Sequence, residues 1–358
     1  MLETKLTVTI EGTDVTSDIS SSLLSFGYED AETDEADTLR FTLMDPDGIW
    51  AGTWRPEGGE TVTASIALFR NGIESGTLDC GSFRVDSLRC SGRPRVMEIG
   101  AVSVPLDTPI RRLKRVRGFE GVTLRGLASD IAASASLALT WEAEGEGAQY
   151  RRVEQSDETD LQFLSRLCKD AGLSVKVTGE QLVVFDQESY ESKEAALTVT
   201  ETGGTVLSWS FSTEKGQAYK KCTVSWRDPA QKKDGSAASY EEAGTDPVSD
   251  GTNNPAVMTY TYEDPDIEEG QEYKMRRRCE SRAEAEKAAK AKLRELNSRQ
   301  VTGSLTVTGN PGVVAGIVIA VAGFGAWDGN FIVEKASHSV GSGGYTTAMD
   351  LRRVNTKY

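Results

Sequence analysis

The sequence predicts a mainly β protein with an α+β middle, in which two related β domains flank a small α/β domain. Three observations predict it. Apolar and polar residues alternate with period 2 through the first hundred residues, helical spacing replaces that alternation between about 106 and 200, and a strand motif of the first region recurs near the C-terminus. Period-2 alternation gives a strand one wet face and one buried face, as in antiparallel sheets and barrels.

The first domain is expected over residues 1–105. Leu6, Val8 and Ile10 alternate in KLTVTI, as do Leu39, Phe41 and Leu43 in TLRFTLMD, and the stretches TVTASIALF and FRVDSLRCSG continue the pattern. DPDG at Asp45–Gly48 and RPEGG at Arg55–Gly59 supply turn chemistry. The middle domain is expected over 106–200. Leu124, Leu127, Ile131 and Ala135 have helical spacing, and Leu161, Leu164, Leu167, Cys168 and Ala171 form a clearer apolar stripe. Ser156 or Asp157 is the expected N-cap of that second helix and Gly172 its C-terminal stop, with a hairpin around Gly179 to follow. The third domain is expected over 201–358. It opens with the β patterns GTVLSWSFSTE and KCTVSW, then has a long Gly-, Ser-, Asp- and Pro-rich loop at 228–254. A helix over 281–300 begins with Ser281 and Glu284 at capping-box spacing, and strands from Val301 to Arg353 close the chain.

GSFRVDSLRCSG (81–92) resembles GNFIVEKASHSV (329–340), with Gly81, Phe83, Val85, Asp86 and Ser91 opposite Gly329, Phe331, Val333, Glu334 and Ser339. Met97, Glu98 and Ile99 match Met349, Asp350 and Leu351 if the second turn is four residues longer, and FTLMDPDG (41–48) resembles LTVTGNPG (305–312). The common order of these short matches points to two related β domains in one chain.

Composition narrows the function. The 358 residues carry a net charge of -15, which argues against gripping nucleic-acid phosphates. Two basic clusters, Arg111–Arg117 and Lys274–Arg282, run against that balance and read as solvated segments or docking surfaces for acidic neighbours. No apolar run approaches the roughly 20 residues that cross a bilayer, so no membrane insertion is expected, and the charged N-terminus alternates like a strand rather than a signal peptide. Cys80, Cys90, Cys168, Cys222 and Cys279 are odd in number and widely spaced, as expected of free thiols.

The single histidine, His338, is the first candidate for proton transfer, but no GxSxG elbow offers it a serine partner. In the repeat it stands opposite Cys90, as a strand residue would. No clustered zinc ligands, phosphate-binding loop or calcium loop occurs, and the acidic runs EDAETDEAD (29–37) and WEAEGEGAQ (141–149) read as loops. No catalytic, cofactor-binding or metal residue is expected. Trp50, Trp54, Trp141, Trp209, Trp226 and Trp327 are dispersed and read as core or interface anchors.

The order of three stretches resembles the phage late control D family, the baseplate hub proteins of phage tails, related to the hub part of type VI secretion spike proteins. They are Pro109–Leu139, a basic entry followed by a helix; Tyr150–Asp186, with its QSDETDLQFLSRL helix, glycine and hairpin; and Gly323–Val354, with its DG.F.VE...H run, GY.T turn and final LRR strand. The resemblance implies a non-enzymatic homotrimer whose subunits each supply two related β-barrel domains of the tube type, flanking the small α/β domain. Six quasi-equivalent positions would then meet a hexameric tail tube, or a tube-initiator protein, on one side and a trimeric spike on the other. Other baseplate proteins would be further partners. DNA would pass an acidic lumen without specific binding. The implied location is the virion tail baseplate, assembled in the bacterial host cytoplasm. Because the chain ends just after the family's last strand, a separate spike is expected. A tail-associated cell-wall hydrolase and a glycan-binding tail protein are the alternatives.

Overall fold

The computed structural model describes residues 2–33, 36–103, 110–178, 181–214, 218–227, 257–265, 267, 269–277, 279 and 281–354. The loop expected at 228–254 lies outside them. The N-terminal part comprises β1 (Leu2–Ile10), β2 (Thr13–Asp14), α1 (Thr16–Ser22), β3 (Leu23–Ala31), β4 (Thr38–Met44), β5 (Thr61–Arg70), β6 (Ile73–Ser91) and β7 (Val96–Val102). The middle comprises β8 (Lys114–Thr123), α2 (Leu124–Ser134), β9 (Ala138–Glu142), β10 (Gln149–Thr159), α3 (Asp160–Asp170), β11 (Leu173–Thr178), β12 (Gln181–Asp186), α4 (Gln187–Glu191) and β13 (Leu197–Thr200). There follow β14 (Val206–Thr213), β15 (Tyr219–Arg227), β16 (Val257–Glu263), β17 (Gln271–Arg276), α5 (Arg282–Asn297), β18 (Val301–Thr308), β19 (Val318–Ala322), β20 (Gly329–Gly341) and β21 (Gly344–Arg353).

The strands from the two ends of the chain join in one 13-stranded sheet. Its main path runs β14-β18-β21-β20-β3-β4-β7-β6-β5-β1-β2, and β19 and β13 branch from β20. Among the described residues no pairing closes either half on itself: the edge of β3 that a closed barrel would need is taken by β20, and β14 pairs only with β18. The predicted alternation is visible in the burial: Val62, Ala64, Ile66 and Leu68 on β5 are buried, and their neighbours are not. These side chains pack with Phe26, Leu39, Phe41, Phe83 and Ile99 in one core, while Leu305, Val307, Ile319, Phe331, Met349 and Leu351 form the corresponding core of the other half.

The middle part has its own core. Helices α2 and α3 bury Leu124, Leu127, Ile131, Phe163, Leu164 and Leu167 against β9, β11 and β12. The expected hairpin is β11–β12, and β9 adds to it in parallel. The N-cap of α3 is Thr159 rather than Ser156 or Asp157. Its hydroxyl accepts from the Gln162 amide, and the Gln162 side chain accepts from the Thr159 amide. The helix starts later than expected because Ser156 still pairs with Val116 in the β8–β10 ribbon. Gly172 follows α3 with φ +74, the left-handed conformation expected of it.

The segment after 201 holds an additional unit. Strands β16-β15-β17 and α5 enclose a core of Cys222, Val224, Trp226, Tyr260, Ala285, Ala289 and Leu293. Helix α5 begins as predicted, with the Ser281 hydroxyl accepting from the Glu284 amide.

Phe163 is fully buried and stacked on Phe119 at 5.6 Å. Phe163→Ala should cost about 3–5 kcal/mol and Thr159→Ala about 1 kcal/mol, both read as shifts of the urea-unfolding midpoint.

Candidate functional site: the joint between the two β halves

The two halves are built alike. In the first, β3, β4, β7, β6, β5 and β1 pair in that order, and in the second β14, β18, β21, β20, β19 and β13 do the same. Irregularities coincide as well as order. The β6–β7 ladder slips between Val85 and Ser87, and the β20–β21 ladder slips between Val333 and Lys335. The β3–β4 ladder slips between Leu23 and Ser25, and β14–β18 between Val206 and Ser208. Even the flanking bonds match: Gly59 N and Gly316 N donate to the carbonyls of Val85 and Val333, while the amides of Val85 and Val333 donate to the carbonyls of Glu60 and Ile317. A β-bulge is a local feature that turns a strand, so its repetition at matched sites marks two copies of one unit. The copies depart from each other at the far side, where β1 pairs antiparallel and β13 parallel, and where the β5–β6 ladder slips twice while β19–β20 does not slip.

The register corrects part of the sequence alignment. Val85 faces Ala101 and Val333 faces Leu351, so the second hairpin is longer by two residues, not four (351 − 333 = 18 against 101 − 85 = 16). Met349 therefore corresponds to Ile99 rather than Met97. The facing strands agree, since Phe41 pairs with Ile99 as Leu305 pairs with Met349. They also reveal an ungapped match that the sequence reading overlooked: LLSFGY (23–28) is the counterpart of VLSWSF (206–211).

The halves meet where β3 pairs antiparallel with β20, from Ser25 opposite Gly341 to Ala31 opposite Lys335. His338 sits in this joint opposite Tyr28, stacked on its ring at 5.8 Å and 1% exposed. Nε2 lies 2.9 Å from the Val313 carbonyl, which can only accept, so the ring proton is on Nε2. Nδ1 then accepts from the Tyr345 hydroxyl at 2.7 Å, with the Thr347 hydroxyl at 3.2 Å. Burial pulls the imidazole down to about 4. A neutral ring with both nitrogens occupied by the scaffold holds loops together and offers no group to a substrate. Tyr345 reaches it by lying over Gly309, where a Cβ would stand 2.0 Å from the ring.

Two buried charge groups tie the middle part to this joint. Lys176 on β11 lies 2.5 Å from Asp30 of β3 and 3.3 Å from Asp37. Asp30 also accepts from the Ala315 amide in the other half. Burial favours the neutral amine of Lys176, but the two carboxylates outweigh it and hold the group above its usual value. Burial pushes Asp37 up to about 6. On β21, Arg352 pairs with Glu191 of α4, with Glu334 at 3.2 Å and with Glu32 at 3.6 Å. Burial raises Glu32 to about 7 against the pull of Arg352. Glu191 also receives Arg294 of α5 at 2.7 Å. The run 29–37, read from sequence as a loop, is thus partly strand and supplies three of these buried acids. Asp30, Ala31 and Glu32 are all buried, which no alternation in the run EDAETDEAD announces.

Among the described residues the opposite face of the continuous sheet, from β14 to β6, is open and polar. Ser210, Ser304, Ser337 and Thr42 stand on it, and its charges balance, with Glu29, Glu98 and Asp350 against Arg40, Arg89 and Lys335. The basic cluster at 111–117 is largely engaged within the chain. Arg117 and Arg115 hold the buried Asp160, Lys114 reaches Asp157 at 3.2 Å, and Arg112 reaches Asp86 at 3.4 Å. In the second cluster Lys274 pairs with Glu272 and Arg277 with Asp170. Among the described residues no group of three or more His, Cys, Asp or Glu is placed to hold a metal ion.

Comparison with known proteins agrees with this architecture. Residues 110–344 match the family model described as phage tail baseplate hub (GPD). A probable baseplate hub protein of Escherichia phage 186 is 25% identical over 96% of this chain and 91% of its own length. The 43 kDa tail protein of prophage MuSo2 from Shewanella oneidensis has a similar structure, with TM-score 0.70, 14% identity and coverage of 99% of this chain and 100% of its own. So has a tail protein from Neisseria meningitidis MC58, with TM-score 0.69, 16% identity and coverage of 98% and 96%.

The joint makes two predictions. Lys176→Met leaves two carboxylates buried without their cation and should cost about 3–5 kcal/mol, measured by denaturant unfolding at pH 7. Because the folded His338 titrates below its unfolded value of about 6.5, the unfolded state takes up its proton first, so stability falls as pH drops through that window. The stability difference between wild type and His338→Gln should therefore shrink by about 3 kcal/mol from pH 7 to pH 4. Parallel unfolding curves across that range would refute it.

Proposed function

The chain belongs to the phage tail baseplate hub family, and on that premise we propose that it is a structural hub subunit whose homotrimer forms a pseudo-sixfold ring between a hexameric tail tube and a trimeric spike. The observation that carries the reading is the duplication: six strands in the same order, with the same two bulges, occur twice in one chain. Three chains then present six near-equivalent sheets to a sixfold neighbour while remaining threefold to another. Binding rests on extended interfaces rather than a reacting group.

The three-part division at about 105 and 200 goes with this proposal, the duplicated sheets forming the ring and the α/β part standing off it. Further partners are other baseplate proteins, and the site of action is the virion tail after assembly in the host cytoplasm. We assign the polar sheet face to the lumen. Hydroxyls with balanced charges offer DNA phosphates no net cation to grip. On this assignment the lining is near neutral, where the net charge led to the expectation of an acidic one.

Light scattering of the purified full chain should give three times the 38.7 kDa protomer mass, or three protomers plus the mass of the spike when the spike is added. A strict monomer under both conditions would sink the trimer. Peptidoglycan clearing by the purified protein, lost on substitution of one carboxylate, would favour a hydrolase instead.

A further inference from the structure

The internal joint leaves its two complementary halves unused at the outer ends of the chain. By the register equivalence, β14 is the copy of β3, and the end of β6 is the copy of the β20 segment that β3 covers. Among the described residues β14 pairs only with β18, and residues 87–91 of β6 pair only with β7. Burial shows the same asymmetry. Phe26 is 0% exposed in the joint, while its counterpart Trp209 is 43% exposed. His338 is buried and its counterpart Cys90 is exposed. An open strand edge beside exposed apolar side chains is a site prepared for another strand.

We infer that β14 of one chain pairs antiparallel with residues 87–91 of β6 in a second copy, reproducing the β3–β20 joint between subunits. The register follows from the internal one. Tyr28 faces His338 inside the chain, so Phe211 faces Cys90 of the neighbour, and Ser210 faces Ser91. The contact is head-to-tail, so it propagates until a ring closes. The inference rests on the trimeric hub reading and adds to it the strands that meet and their register.

The test is disulfide trapping in the full chain. Ser91→Cys and Ser210→Cys are combined in a Cys90→Ser background, where the remaining four thiols are buried. The two altered serines are exposed, which spares the core. Mild oxidation should convert most chains into covalent oligomers that run as multiples of one chain and are reversed by reductant. Pairing Ser91→Cys with Glu214→Cys instead moves the second thiol four residues along the same strand direction, roughly 13 Å away, and should give only background. Equal trapping by both pairs overturns the register. A trimer by light scattering with no trapping overturns the strand pairing and leaves the trimer standing. Trapping that yields open ladders with no discrete trimer upholds the pairing and overturns the trimer. A monomer with no trapping overturns both.

Discussion

Strand β3 is bonded on both edges, to β4 of its own half and to β20 from the other end of the chain. Backbone donors and acceptors must be satisfied wherever water is excluded, and this double pairing satisfies them across the middle of the 13-stranded sheet. It also decides where side chains go. With both edges covered, Phe26 and Tyr28 are sealed and His338 is dried out. The neutral ring, its proton on Nε2, then links the loop at Val313 to the β21 hydroxyls. The polar face on the opposite side of the sheet follows from the same alternation.

Charge does at the periphery what the ladder does at the centre. Lys176 against Asp30 and Asp37, and Glu191 between Arg352 and Arg294, fix how the α/β part seats on the sheet. Such buried pairs gain little net stability over a well-packed apolar contact, since desolvation offsets most of their attraction. Their cost falls on every wrong arrangement, where the same charges would be buried alone. Here the specificity lies in the links between parts, each of which has its own apolar core.

Much of this was legible in the sequence. Period-2 alternation located the strands, the stripe from Leu161 to Ala171 located α3, and the paired motifs around Phe83 and Phe331 disclosed the duplication. The misses have physical causes. Ser156 reads as a helix cap because capping chemistry is local, but a strand pairing across the ribbon kept it. Asp30 and Asp37 read as loop acids because nothing near them in sequence announces Lys176. The hairpin register was misjudged because a bulge and a turn both absorb residues, and only facing strands separate the two. The β3–β14 match escaped because Ser210 and Phe211 retain little of Gly27 and Tyr28 beyond size and aromaticity. His338 was legible as a strand residue, but the hydroxyls that occupy it come from residues 345 and 347, whose positions depend on the hairpin.

The β3–β20 joint lies within one chain, and that changes what concentration can do to it. Two strands tethered by a common polypeptide meet at an effective concentration set by the chain itself, unaffected by dilution. An equivalent joint between separate molecules forms only as often as those molecules collide, and its occupancy follows mass action. In a ring built as proposed, duplication within a gene makes half of such contacts a matter of folding, leaving the other half to the abundance of the protein and the timing of its synthesis.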